Sequence, residues 1–139
     1  AGEGTLLSAL ASTHILPIIS SIGADNNGNL LNVNADQAAT AIAQLLSAQL
    51  RLLSDVPGVL DADKNLIEQL DSQQIDSLIA ENIIRDGMIV KVQAALTAAN
   101  SLGRSVTIAS WKDTKKLLQL LQNHSVGSTI CPETKSDKA

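Results

Sequence analysis

Three short segments hold the residues whose types and spacing could do chemistry. The first is Asn32-Val33-Asn34-Ala35-Asp36-Gln37-Ala38-Ala39, where extended chain turns into a helix. Free backbone N–H groups and a positive dipole end at such a junction suit an anionic ligand. Asn32 and Asn34 carry the donors and acceptors to bind a ligand's amide or carboxylate, and Asp36 could orient lysines or hold a metal. The plainer reading, which spacing alone favours, makes Asn34 an N-cap and Asp36 a complement to the dipole.

The second segment is Leu52-Leu53-Ser54-Asp55-Val56-Pro57-Gly58-Val59-Leu60, a strand ending in a polar, Gly-containing loop. Open α/β sheets place their ligands at the carboxyl ends of strands. Asp55 there either accepts hydrogen bonds from a ribose or only stabilises a turn. The third is Asp86-Gly87-Met88-Ile89-Val90-Lys91-Val92. Helical spacing puts Lys91 on the border of an apolar stripe, near Ala95 and Leu102. Such a lysine either snorkels to water or aims a point charge at a transferring phosphoryl group. Other chemistries drop out. His14 and His124 lack metal-ligand spacing. There is no Walker-type phosphate loop and no Gly-x-Ser-x-Gly elbow.

The periodicities predict which elements position these segments. Leu6–Ser12 reads as a short helix, and the apolar run Ile15–Ser20 as a buried strand interrupted by Pro17. Ala24–Asn29 reads as a turn between extended pieces, because it contains Asn27-Gly28. Ala35–Ala48 is a helix with Ala35, Ala38, Ala39, Ile42, Leu45 and Leu46 on its apolar face. Leu50–Ser54 reads as a short buried strand, followed by a tight turn at Val56–Val59 and a second at Asp61–Asn65, which together suggest a small hairpin. Asp71 or Ser72 caps a helix to about Asn82, and a longer helix runs from Gly87 to Leu102 with Gly103 closing it. Val106–Ala109 is a strand, Lys112–Leu121 a helix and Ser128–Cys131 a last strand. Alternating strands and helices predict an α/β domain with a mainly parallel sheet.

Composition narrows the partners. The 139 residues are 45% hydrophobic and 17% charged, the size and make-up of one packed domain. With one Trp, no Phe or Tyr, and a net charge of −4, neither base stacking nor phosphate-backbone binding has a basis, so no nucleic-acid partner is expected. Polar residues interrupt every apolar run before about 18 residues, so no membrane partner is expected either. Cys131 is the single cysteine, which excludes an intrachain disulfide and fits a reducing, cytoplasmic setting. Ala1-Gly2-Glu3-Gly4 lacks signal-peptide features and an initiator Met, as expected of a processed chain or a fragment. Pro132–Ala139 reads as a flexible tail.

Taken in order, the three segments resemble acetylglutamate kinases of the amino acid kinase family. The likeness continues through Ser101-Leu102-Gly103-Arg104, Ile108-Ala109-Ser110-Trp111 and Gly127-Ser128-Thr129-Ile130, and spans Leu6 to Ile130. It implies a three-layer α/β sandwich with an open, mainly parallel sheet, residues 1–131 being the C-terminal, ATP-binding part of that fold. It implies that Asn32 binds N-acetyl-L-glutamate, that Asp36 organises the catalytic lysines, and that Lys91 stabilises charge on the transferred phosphoryl. Asp55, Val56, Pro57, Gly58, Val59 and Leu60 would line the site of ATP, which arrives with Mg²⁺. Ile83, Ile84 and Arg85 would complete the adenine and ribose pocket. A homo-oligomeric full-length enzyme is implied as well. The family's N-terminal lysine, glycine-rich loop and substrate arginine precede the matched region, so this chain is expected to have negligible activity alone. The alternatives are a non-catalytic nucleotide-binding or interaction module, and a carbamate, aspartate or uridylate kinase.

Overall fold

The computed structural model describes residues 4–133. The expectations for Ala1 to Glu3, and for all of the tail beyond Glu133, lie outside the described residues. The chain divides into two compact units, Ala1–Ala48 and Gln49–Ala139.

In the first unit, α1 spans Thr5–Ser12, β1 Ile22–Ala24, β2 Leu30–Asn32 and α2 Ala35–Leu45. β1 and β2 form an antiparallel hairpin in which Ile22 faces Asn32 and Ala24 faces Leu30. Its turn is held by Asp25, whose Oδ1 accepts from the backbone N–H of Asn27 and of Asn29, each at 2.9 Å. Gly28 alone in the turn takes a positive φ, 83°. Ile15–Ser20, expected to be a buried strand, is instead irregular, with Leu16 and Ile18 among its exposed residues. A strand needs a ladder, and this stretch finds none among the described residues: pairing starts only at Ser21, whose carbonyl accepts from Val33 N–H. Helix α2 also stops earlier than Ala48. Ser47 turns left-handed (φ 51°), and Ala48 N–H closes back onto the Ala43 carbonyl. That is the six-to-one bond of a Schellman end, made without the glycine that would have marked it in the sequence. The buried residue of α2 is Ala43, beside rather than on the expected apolar face.

The second unit is built on a four-stranded sheet. Its strands are β3 Arg51–Ser54, β4 Gln69–Leu70, β5 Val106–Ser110 and β6 Ser128–Ile130, in the order β3-β5-β6-β4. Helices α3 Ser72–Ala80, α4 Asp86–Leu102 and α5 Thr114–Leu121 flank it. β3 runs parallel to β5 and β4 parallel to β6, while β5 and β6 are antiparallel. The sheet is therefore mixed and mainly parallel, as the alternation of elements requires. Central β5 contacts both α4 and α5, and Val106, Ile108 and the intervening-face Ala109 are all buried, so both of its faces are covered. β3 was expected to be buried, but it lies at the sheet's edge and Leu53 is 48% exposed. β4 was not foreseen, since two residues carry no periodicity. Asp71 and Gln74 form a reciprocal capping box at the start of α3. α4 ends on left-handed Gly103, and α5 starts at Thr114 rather than Lys112 because Asp113 accepts from the N–H groups of Lys115 and Lys116.

Candidate functional site

Ser54 ends β3 in parallel register with Ser110 of β5, and Trp111 N–H donates to the Ser54 carbonyl at 3.0 Å. The chain leaves the sheet at the next residue, so Asp55 projects from the carboxyl ends of the two parallel strands, the location favoured for ligands in α/β sheets. Lys91, one and a half turns into α4, reaches the same point. Its Nζ donates to Ser54 Oγ and, at 3.3 Å, to Asp55 Oδ1. Ser54 Oγ in turn donates to Asp55 Oδ1 at 3.1 Å. The Lys91 ammonium, then the Ser54 hydroxyl and the residue's own backbone N–H, hold the Asp55 carboxyl below its ordinary value. Both charged side chains stay accessible, Lys91 at 42% and Asp55 at 59%.

The loop that follows is locked from beneath. Buried Ser128 accepts from Val59 N–H at 2.8 Å and donates to the Ile67 carbonyl at 2.6 Å. One hydroxyl thereby pins both legs of the hairpin in which Leu60 bridges Leu66. The hairpin tip is closed by Asp61, whose Oδ1 accepts from the N–H groups of Asp63 and Asn65. Gly58 has φ 149°, and a Cβ there would lie 2.5 Å from Ser128 Oγ. Gly127 has φ 82°, and its Cβ would meet the Ile108 carbonyl oxygen at 2.1 Å. Both positions therefore require glycine.

Ile83, Ile84 and Arg85 form the lead into α4. Ile84 is buried and Ile83 half-buried, with both N–H groups bonded to the Leu78 carbonyl, while Arg85 is exposed and its Nε donates to the Asn82 carbonyl. Asn32 and Asp36 belong to the first unit and are exposed there. Asn34 is an N-cap, its Oδ1 accepting from the N–H groups of Asp36 and Gln37 at 3.0 and 3.1 Å.

A cavity of about 400 Å³ opens at the same end of the sheet, lined by Pro57, Ser110, Lys112, Lys116 and Gly127 among others. A larger one, about 730 Å³, lies by Gln69, Asp71 and Cys131. Because β6 is antiparallel to β5, that cavity falls at the opposite end of the sheet from Ser54 and takes no part in the site. Among the described residues, no group of three or more His, Cys, Asp or Glu could hold a metal ion, and no helix is long and apolar enough to cross a membrane.

Of the sequence-predicted residues, then, the fold brings Asp55 and Lys91 into contact from 36 positions apart. The residue missed was Ser54. Its signal was a lone hydroxyl closing a strand directly after Leu52 and Leu53. The arrangement offers one fixed cation, one ionised carboxylate and a rigid loop backbone, which is suited to holding an anionic, hydroxyl-bearing ligand such as a nucleotide.

Residues 3–110 match the profile of the amino acid kinase family. The chain is similar to acetylglutamate kinase of Aliivibrio fischeri strain MJ11, 55% identical over 133 residues that make up 96% of this chain and 51% of that protein. It is 58% identical over 127 residues to acetylglutamate kinase of Actinobacillus succinogenes, covering 91% of this chain and 49% of that one. Among solved structures, N-acetylglutamate synthase from Neisseria gonorrhoeae, complexed with coenzyme A and N-acetyl-glutamate, aligns with a TM-score of 0.75 at 26% identity. That alignment covers 94% of this chain and 30% of that one. The chain thus spans about half the length of the curated relatives it matches.

Proposed function

The chain belongs to the amino acid kinase family, and on that premise we propose that it supplies the ATP site and part of the catalytic centre of an acetylglutamate kinase. The complete enzyme transfers the γ-phosphoryl group of ATP to the γ-carboxylate of N-acetyl-L-glutamate, giving an acyl phosphate and ADP. The observation that carries this reading is the Lys91 ammonium, held on Ser54 and Asp55 at the carboxyl end of two parallel strands. Phosphoryl transfer asks little covalent chemistry of the protein; it asks for positioning and neutralisation of charge.

In this reading Lys91 meets the oxygens of the transferring group. Asp55, ionised and exposed, accepts hydrogen bonds from the ribose, and the rigid backbone from Val56 to Leu60 walls the nucleotide. Ile83, Ile84 and Arg85 close the base and ribose side, with Ile84 acting through its backbone because its side chain is buried. Mg²⁺ arrives with the nucleotide and offsets the charge of its phosphates. In the first unit, Asn32 binds acetylglutamate and Asp36 organises the lysines. Residues 1–131 would form the C-terminal, ATP-binding part of a homo-oligomeric cytoplasmic enzyme. The relatives' other half would bring the remaining lysine, the glycine-rich loop and the substrate arginine.

Calorimetric titration of the purified chain with ATP·Mg²⁺ and, separately, with N-acetyl-L-glutamate tests this. Weak nucleotide binding without turnover is the expected result, with turnover recovered in a chimera that places this chain after the first half of the Aliivibrio fischeri relative. A chimera that folds yet neither binds nucleotide nor phosphorylates acetylglutamate would sink the reading.

A further inference from the structure

We propose that Ser54 is a positioning residue for Lys91, fixing the ammonium from within its own unit so that one of its three N–H donors is left for the phosphoryl group. Ser54 places a buried hydroxyl where the strand has no need of one. Ser54 is 6% exposed at the end of a run whose other members include Leu50, Leu52 and Leu53. A polar group so placed must be hydrogen-bonded, because its desolvation would otherwise go uncompensated.

The polarity of its bonds follows from the partners. An ionised carboxylate only accepts, so the single Ser54 proton goes to Asp55 Oδ1. Its lone pairs then accept from Lys91 Nζ. The chain of donation runs Lys91 to Ser54 to Asp55, and each bond polarises the next. Lys91 also reaches Asp55 directly, but that carboxylate is exposed and its attraction does little to fix an angle. Ser54 differs, since its backbone is held by the parallel register to Ser110 and by Trp111 N–H. A flexible four-carbon stem is thus held at its tip by a short side chain whose backbone is fixed in the sheet. With two donors occupied, the third belongs to the ammonium's accessible side.

What Lys91 does with that donor rests on the kinase reading; that Ser54 holds Lys91 does not. The test is therefore split. In the chain labelled with ¹³C,¹⁵N-lysine, the Lys91 ammonium should give a slowly exchanging ¹⁵N signal at mildly acid pH and low temperature. Ser54→Ala should abolish that signal and merge the two Cε proton shifts, while Ser54→Thr should restore both. If Ser54→Ala does not fold, Ser54→Cys keeps the side-chain shape at a slightly larger size and removes the strong acceptor. In the chimera, Ser54→Ala should lower kcat by about 10- to 100-fold with KM for ATP changed far less, the signature of misplacement rather than lost binding. An unchanged Lys91 signal, or an unchanged kcat beside a lost signal, overturns the role. Failure of the unsubstituted chimera to bind nucleotide would instead overturn the kinase reading, leaving the lysine signal to decide the role of Ser54.

Discussion

Lys91 Nζ lies 3.3 Å from Asp55 Oδ1, joining the body of α4 to the first residue beyond β3. Exposed pairs of this kind contribute little to stability, because water screens them and two side chains are ordered to make them. On the proposed kinase reading, the contact matters for the site rather than for stability. It leaves a cation and an anion side by side, each accessible to a ligand that needs both.

Lys91→Ala in the chimera should lower kcat by about 10²- to 10³-fold, the range for removing a preorganised group that stabilises developing charge. The dissociation constant for ATP should change much less. Steady-state kinetics beside calorimetry separate the two, and an unaltered kcat would contradict the assignment.

The Asp55 carboxyl, held down chiefly by Lys91, should titrate below its ordinary value of 3.8. A depressed folded value means that the pair's contribution is fully present above the unfolded value and is lost as pH falls through the folded one. Carboxyl ¹³C shifts followed through acid should place the midpoint under 3.8 in the native chain. In Lys91→Gln the midpoint should rise toward the ordinary value.

Beneath the loop, Gly127→Ala should destabilise the chain by about 2 kcal/mol or more, because its Cβ overlaps a backbone oxygen at an unfavourable φ. Ser128→Ala should cost about 1–3 kcal/mol by leaving the Val59 N–H and Ile67 carbonyl without their partner. Urea denaturation measures both. Gly103→Ala, at a left-handed helix end with open space around it, should be milder than Gly127→Ala.

Asp71→Ala removes half of the α3 capping box and should cost about 1 kcal/mol. Asp71→Ser should recover most of it, since serine is as good a cap.

Leu16→Ser and Ile18→Ser should each change stability by less than about 0.5 kcal/mol, because both side chains are exposed. A buried strand, as the sequence suggested, would make the same changes cost several times more.

What could be read from the chain alone follows the range of the interactions. Helical periodicity marked α2 and α4, Asn27-Gly28 marked the hairpin, and Asp71 and Gly103 marked helix ends, all through contacts within a few residues. At Ser47 no glycine marks the end of α2, whereas at Asp113 the cap is legible as an Asp lying one residue inside the expected helix. Ile15–Ser20 failed for a different reason: an apolar run specifies a wish to be buried, and only a ladder partner can grant it.

For the site, residue types and order in the sequence, through the family likeness they carry, put Asp55 and Lys91 in one expected site, and the fold brings them into contact. Only the tertiary structure decided that a hydroxyl bonds both of them. Ser54 meets Lys91 across 37 positions because β3 ends where α4 passes. No local propensity encodes such a meeting. It arises from the parallel pairing of β3 with β5 and the packing of α4 against β5, which together set where three side chains converge.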